Sequence, residues 1–497
     1  MYPKFAKTAA KVAAVGAVVA ASGLGFAQAA LAVPVAGAVD VPCSVAALAS
    51  AISGNAGGET LSLAKFCTYQ LTSALPDITE DLTIDGNGGA IERSYATDTP
   101  DFRIFYVPDD VDFVLNQVNL RNGAAGDGGG PVRKAVSAVQ AGLRRMGGPG
   151  RKAGSVKSGG PGRKAESFIR AGSRRSVIRA GSRRKAGFPR ADGDNEGGAI
   201  YNEEGSVTVN GGTLSDNSAD DEGGAIYNDD DGSLTVNGTS FTDNGAQYGG
   251  GIANENDATV TGATFTGNEA EYGGGIYNDD SATVVRSDFT KNGAEYGGGM
   301  YNDEDSYLAV TGSGFYENQA GAGGGIDNAG CDCDCDDSDL LVTGGAFTGN
   351  AAEFAGGGIY NNDDATVTDV TFRLNTSEWG GGIYVDDQTG DTTFALTGGT
   401  FSGNTAAEGG AIFNVNDSSV DGATFRLNTA DWGGAIYNWE DNTFTFTDST
   451  ITGNTATGGG GGIYNQDDGT VTLTTTSVFS NHRDNCEPLN TISGCTD

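Results

Sequence analysis

The sequence predicts an all-β fold, a right-handed parallel β-helix solenoid with about three short strands per coil of 24 to 29 residues, an N-terminal cap and a disordered basic insert. Three observations predict it. A signature Gly-Gly-(Ala/Gly)-Ile-Tyr-Asn recurs along the chain, a second motif apolar-x-x-Asn alternates with it, and glycine makes up 82 of 497 residues against 11 prolines and one histidine. That composition is neither collagen nor ordinary enzyme stock.

The first segment carries Lys4, Lys7 and Lys11, an apolar stretch from Val12 to Phe26, and Ala30-Leu31-Ala32 as a small-residue cleavage site. Residues 1–32 read as a secretory signal peptide, with cleavage after Ala32, or after Ala29 as second choice. A secreted or cell-surface protein, not membrane-spanning after cleavage, is the expectation. Seven cysteines in a secreted chain favour disulfides. Cys43 with Cys67 and Cys486 with Cys495 are the expected pairs. Cys331, Cys333 and Cys335 alternate with aspartate in a variable corner and lack the usual two-residue gap of a zinc site, so a local disulfide with a spare thiol is preferred to a metal.

The repeat array is expected from about residue 82 to residue 481, with a cap over 33–80, first coils over 81–130, an insert over 131–191, the main array over 192–481 and a tail over 482–497. The signature isoleucine marks each coil, from Ile200, Ile226, Ile252 and Ile276 through Met300 to Ile463. Between the markers stand pairs such as Phe241 with Asn244 and Phe425 with Asn428, and five residues before each Phe-type position lies another apolar residue, such as Val236 or Val420. Period-two alternation around the Val position reads as strand with one face inward. The interval of five breaks that alternation and requires a bend.

The Val-to-Phe interval is always 5 and the Phe-to-Ile interval 11 or 12, whereas the run from Ile to the next apolar pair varies from 6 to 14. One corner therefore tolerates insertions and faces solvent. Gly-Gly before the marker fits a corner where a side chain would collide with the next coil. The two asparagine positions suggest left-handed turn residues that stack into ladders.

Repeated Gly433-Gly434-Ala435-Ile436 and Phe425-Arg426-Leu427-Asn428 resemble the repeat of the polymorphic outer membrane protein family, over roughly residues 192 to 481. The resemblance implies a β-helix passenger linked to adhesion at the cell surface. That family ends in a membrane β-barrel, and no segment here reads as one. Cys43-Ser44-Val45-Ala46-Ala47-Leu48 through Cys67 to Leu82-Thr83-Ile84-Asp85-Gly86 resembles, more weakly, the opening module of secreted β-helices that begin Cys-Ser-Leu-Arg-Glu-Ala, and implies a cap helix.

The variable corner collects acid. Asp279, Asp280, Asp303, Asp305, Asp363 and Asp364 are candidate Ca²⁺ ligands, against which stands a solvated, self-repelling face. No other cofactor is expected. Four residues before the marker stand Tyr248, Tyr272, Tyr296, Trp379 and Trp432, and beside the last four Glu271, Glu295, Glu378 and Asp431. An aromatic next to an acid on successive coils suits sugar rings, so an extracellular glycan or protein surface is the expected partner; like aromatics that merely stabilise the stack are the plainer account. A second row, Tyr201, Tyr227, Tyr277, Tyr301, Tyr360, Tyr384, Phe413, Tyr437 and Tyr464, is expected to point outward.

Function thus reads as a structural or adhesive binding protein, not an enzyme, with a carbohydrate-active enzyme of the pectate lyase or polygalacturonase-like class as the alternative. The carboxylates are periodic, and the one histidine, His482, falls past the last expected coil. Residues 131 to 190 hold 17 of the 29 Lys and Arg with one acid, Glu166, inside a chain of net charge −36. Polyanion binding and a tether on the protein's own acidic face are the two readings, and no specific nucleic-acid binding is expected. Because Pro131 or Val132 falls where a marker isoleucine is due, the stretch is expected to stand in place of one or two coils, as a reading-frame slip in the coding DNA would produce.

Overall fold

The computed structural model describes residues 37–126, 195–330, 339–386, 393–439, 442–466, 468–488 and 492–496. The expected signal peptide, the insert over 131–191 and the Cys331-Cys333-Cys335 corner lie outside the described residues. The described residues from Val39 on form one compact unit. It is a parallel β-solenoid of three long sheets with 15, 14 and 13 strands, named here for their inward residues the Val, Phe and Ile sheets.

One coil illustrates the rest. Ile276–Asn278 lies in the Ile sheet, Ser281–Val285 in the Val sheet and Asp288–Thr290 in the Phe sheet, and each pairs in parallel with its counterpart 24 residues earlier. Markers pair with markers: Ile276 opposite Met300, Val284 opposite Val310, Phe289 opposite Phe315. The inward alternation is what fixes this register, since a one-residue slip would turn every apolar side chain outward. Phenylalanines from Phe241 to Phe425 stack ring on ring at 4.5 to 4.9 Å, the coil spacing itself. Each is fully buried, a contribution of roughly 2–3 kcal/mol per ring.

The bends have a common backbone cause. Two residues past each Val-type marker the chain turns left-handed, at Gly238, Gly262, Arg286 and Gly312 among others. It does so again two residues past each Phe-type marker, at Asp216, Asp243, Gly267, Lys291, Glu317, Gly349, Leu374, Gly403, Leu427, Gly453 and Ser480. The left-handed residue therefore precedes the ladder asparagine, correcting the expectation that asparagine adopts it. The asparagine sits in the ordinary region because its task is hydrogen bonding between coils. Asn292 Nδ2 donates to Phe265 O and Asn318 Oδ1, both at 3.0 Å, while its own Oδ1 accepts the Asn268 backbone N–H and Nδ2. A second ladder runs through Asn202, Asn228, Asn254, Asn278, Asn302, Asn328 and Asn361, and resumes after Val385 with Asn414, Asn438 and Asn465.

In the Gly-Gly corner the first glycine has φ near +60°, as at Gly273 (φ 65°). A Cβ on the second, Gly274, would lie 2.4 Å from the Gly298 carbonyl oxygen of the next coil. Only glycine fits both places.

Both ends extend beyond the expected bounds. Val39–Val41 and Glu59–Leu63 already pair in the Val sheet, so the solenoid begins inside the 33–80 segment rather than at 82. The expected helix is there as α1 (Val45–Ser53), with Leu48 and Ile52 buried on the core and Ser44 Oγ accepting the Ala47 N–H at its start. Cys43–Cys67 closes this end. At the other end Cys486–Glu487 takes the place of Ile-Tyr in the Ile sheet, His482 bridges Thr455 within the last turn, and Cys486–Cys495 ties the tail.

The coils on either side of the insert pair directly. Phe105–Val107 pairs directly with Ile200–Asn202, Asp112–Asn116 with Ser206–Asn210, and Asn119–Arg121 with Thr213–Ser215. Ala124–Ala125 pairs with Ser218–Ala219, so the coil that breaks off at Gly126 resumes at Asn195 without a missing turn in the stack. The marker "due" near residue 131 is Ile200.

Candidate functional site

Outside the core, two rows of side chains cover the flank between the Phe and Ile sheets. The row after the marker isoleucine points away from the core, yet it is buried rather than outward-facing as expected: Tyr227, Tyr384, Phe413 and Tyr437 are at most 1 % exposed. The second row, four residues before the marker, lies over it. Tyr248 packs edge-on against Tyr277 at 5.1 Å and Tyr272 against Tyr301 at 5.2 Å. The spacing of one aromatic residue on each side of the Gly-Gly corner was the signal for this packing, since the turn folds them together.

The same burial explains the hydroxyls. Tyr201 donates to Asp229 at 2.7 Å, Tyr227 to Glu255 at 2.9 Å and Tyr360 to Asp386 at 2.8 Å; Tyr106 with Glu203 and Tyr277 with Asp303 make the same pair, and Tyr437 donates to Gln466 at 2.7 Å. Each tyrosine reaches the first corner residue of the next coil. The acidic corner is thus partly an acceptor row for a tyrosine rail, which the sequence reading missed because the partners are a coil apart.

Of the calcium candidates, Asp303 serves Tyr277 in this way, Asp363 accepts the Asp364 N–H at 2.7 Å, and Asp364 accepts the Thr393 hydroxyl at 2.8 Å. Asp280 and Asp305 are exposed and Asp279 half-buried. Among the described residues the three acids that converge are instead Asp229, Asp230 and Glu255, one oxygen of each within 4.8 Å of the others.

The candidate binding residues fall into two groups. Tyr248, Tyr272 and Tyr296 stack face to face at 5.1 and 5.3 Å, half-buried, with Gln247, Glu271 and Glu295 beside them. Their ring faces are taken by one another; hydroxyl edges and carboxylates are what they offer. In the second group Trp379 and Trp432 do not adjoin, because Glu408 occupies the same row position between them. Trp379 is buried, and Trp432 lies edge-on to Tyr464 at 5.1 Å with Gly458 against its ring. Burial, with Glu378 and Asp431 on either side, raises the Glu408 carboxyl to about 7. Glu378 and Asp431 are exposed. A register alignment of the Trp379 and Trp432 coils would have found Glu408; a search for aromatics passed over it.

Glu222 holds the corresponding place one coil before Tyr248. Ala253 leaves the neighbouring rail position small, and Glu222 and Glu255 meet there. Burial pushes Glu222 up to about 7, and burial with the Glu222 charge pushes Glu255 higher, so the pair keeps a proton through neutral pH.

No helix of the described residues is long and apolar enough to cross a membrane. The Chlamydia polymorphic membrane protein (Chlamydia_PMP) repeat matches the chain in three places, residues 211–229, 398–415 and 448–466. Each match runs from the left-handed bend through the Phe-type strand and its asparagine to the Ile-(Tyr/Phe)-Asn strand. No curated protein and no solved structure matches the chain.

Proposed function

We propose, from the polymorphic membrane protein repeats that the chain carries on a parallel β-solenoid, that it is a cell-surface or secreted binding protein of adhesin type, and that its partner is an extracellular glycan met along the Tyr248–Tyr272–Tyr296 row. The observation that carries the proposal is the alignment of three tyrosine edges with Gln247, Glu271 and Glu295 at coil spacing. Sugar hydroxyls find acceptors in the carboxylates and donors in the phenols, and a linear polymer can meet the same contact on several coils. Because the ring faces are stacked on one another, the reading rests on hydrogen bonding more than on ring stacking.

A glycan array tests it. Retention on one glycan class by the wild type, weakened about tenfold or more in the double variant Glu271→Gln/Glu295→Gln with an unchanged unfolding midpoint, supports the reading. No retention on any glycan, or equal retention by both proteins, counts against it.

One observation favours a second reading. Glu408, its carboxyl raised to about 7 and flanked by the carboxyl groups of Glu378 and Asp431, has the neighbouring-carboxyl arrangement that glycoside hydrolysis uses. Release of reducing ends that is lost in Glu408→Gln would establish it.

A further inference from the structure

Two coils of the array carry the same hexapeptide. Thr371-Phe372-Arg373-Leu374-Asn375-Thr376 and Thr424-Phe425-Arg426-Leu427-Asn428-Thr429 are identical, and between them stands Thr400-Phe401-Ser402-Gly403-Asn404-Thr405. Their strands are neighbours in the Phe sheet, with Arg373 in register with Ser402 and Ser402 in register with Arg426. The stack therefore sets the two copies two coils apart, roughly 9–10 Å along the axis at ordinary strand spacing.

This part of the surface differs from the rest of an acidic chain. The outward positions of Thr371–Arg373, Thr400–Ser402, Thr424–Arg426 and Thr450–Thr452 hold only threonine, serine and arginine. The bend that follows carries Leu374, Gly403, Leu427 and Gly453, where earlier coils have Asp216, Asp243 and Glu317. Past the bend Thr376, Thr405, Thr429 and Thr455 line up by parallel pairing. Carboxylates return on either side, at Glu378 and Asp431 beyond the threonines and at Asp369 and Asp448 in the bend before the strands.

Two features of the hexapeptide have no use in the stack. Arg373 and Arg426 are exposed, and among the described residues neither has a hydrogen-bond or ion-pair partner, in a chain with 65 acids. Leu374 and Leu427 are exposed and left-handed, whereas the coil after each has glycine at that position. Each leucine leans over that glycine: a Cβ on Gly403 would lie 3.0 Å from Leu374 Cδ2, and one on Gly453 would lie 3.6 Å from Leu427 Cδ2. Backbone strain that serves only to present an apolar side chain to solvent does nothing for folding, and such strain collects at binding sites.

We propose that the two hexapeptides are paired stations for a linear polysaccharide that bears a carboxylate on alternate sugars. One sugar of an extended chain spans about the height of one coil, so charged sugars fall on Arg373 and Arg426 and the uncharged sugar between them on Ser402 and Gly403. Each guanidinium meets a carboxylate through two parallel N–H···O bonds, the leucine covers the apolar side of the ring, and the threonine hydroxyls donate to or accept from the sugar hydroxyls. A polymer charged on every sugar fits less well, because the Ser402 coil offers no cation and the acids on either side repel the extra carboxylate. The site lies on the Phe sheet, apart from the tyrosine row, and does not rest on it: the row is probed through Glu271 and Glu295, so either reading can fail without the other.

Hyaluronan, in which glucuronate alternates with N-acetylglucosamine, is the probe, with polygalacturonate, charged on every sugar, and neutral dextran for comparison. Binding of the full chain to each immobilised polymer is measured for the wild type, Arg373→Ser/Arg426→Ser and Leu374→Gly/Leu427→Gly. These changes copy onto both stations the residues that Ser402 and Gly403 supply on the strand between, so both variants are expected to fold. The proposal expects the wild type to bind hyaluronan more tightly than either other polymer, and the arginine variant to lose about tenfold or more. It expects the leucine variant to bind hyaluronan more weakly although it unfolds at the same or a higher denaturant concentration. No binding of hyaluronan by the wild type overturns it, as does equal binding by the wild type and the arginine variant. Equal affinity of the wild type for hyaluronan and polygalacturonate overturns it as well, since the two-coil spacing then selects nothing.

Discussion

Leu427 adopts φ 57° and is 63 % exposed, and Leu374 adopts φ 57° and is 50 % exposed, whereas four of the eleven equivalent positions are glycine. A left-handed non-glycine residue costs about 1–2 kcal/mol, partly offset by the greater chain entropy that glycine loses on folding. Leu427→Gly should therefore gain about 0.5–1 kcal/mol, whereas Leu427→Ala should gain nothing. Denaturant unfolding of the two variants checks the difference. The buried acids set the pH response at the same scale. Glu408 and Glu222 have carboxyls raised to about 7 by burial. A raised folded-state pKa means that stability is full below the unfolded value near 4.5 and is lost as pH rises through about 7. The unfolding midpoint should fall between about pH 4.5 and about pH 7, the span those values define. Glu408→Gln should flatten that slope; an unchanged slope would remove Glu408 from the account.

At the scale of the element, the strand triplet and its corners were legible because their causes are local. Period two marks the Val strand, and the fixed intervals of 5 and of 11 or 12 bound the walls. The Gly-Gly corner followed from the absence of side chains, and the Cβ distance at Gly274 gives the reason. What could not be read was any relation one coil apart. The tyrosine row looked outward because it alternates with the inward isoleucine, but the next row folds over it across the Gly-Gly turn. The acids looked free because their tyrosines are 26 to 28 residues away in the chain, as with Tyr201 and Asp229, or 97 away for Tyr106 and Glu203. Glu408 was missed for the same reason. The asparagine ladder offers an element-level test. Asn292→Ala removes four hydrogen bonds in a fully buried setting and strands Phe265 O and the Asn268 N–H, a loss of about 3 kcal/mol. Each coil touches only its neighbours, so the loss should appear as faster amide exchange in the coils around residue 292, with distant coils unaffected.

For the whole unit, the question is whether the repeat is continuous. The sequence suggested a replaced coil because the marker due near residue 131 is absent. The pairing keeps Phe105, Ile200 and Ile226 in one ladder, with Phe105 N–H donating to Ala199 O at 2.9 Å and Ile200 N–H to Ala225 O at 2.9 Å. Removing residues 127–194 would leave Leu120 and Ile200 twelve apart, the interval of the other coils. A stack without a gap also keeps the aromatic and acidic rows in line over its length, which repeated contact with a polymer requires. Amide hydrogen exchange of the full chain tests this continuity most directly. The account predicts that the amides of Phe105 and Ile200 exchange as slowly as that of Ile276 in the middle of the array. Rapid exchange at Phe105 and Ile200, as at an open sheet edge, with slow exchange only from Ile226 onward, would contradict it.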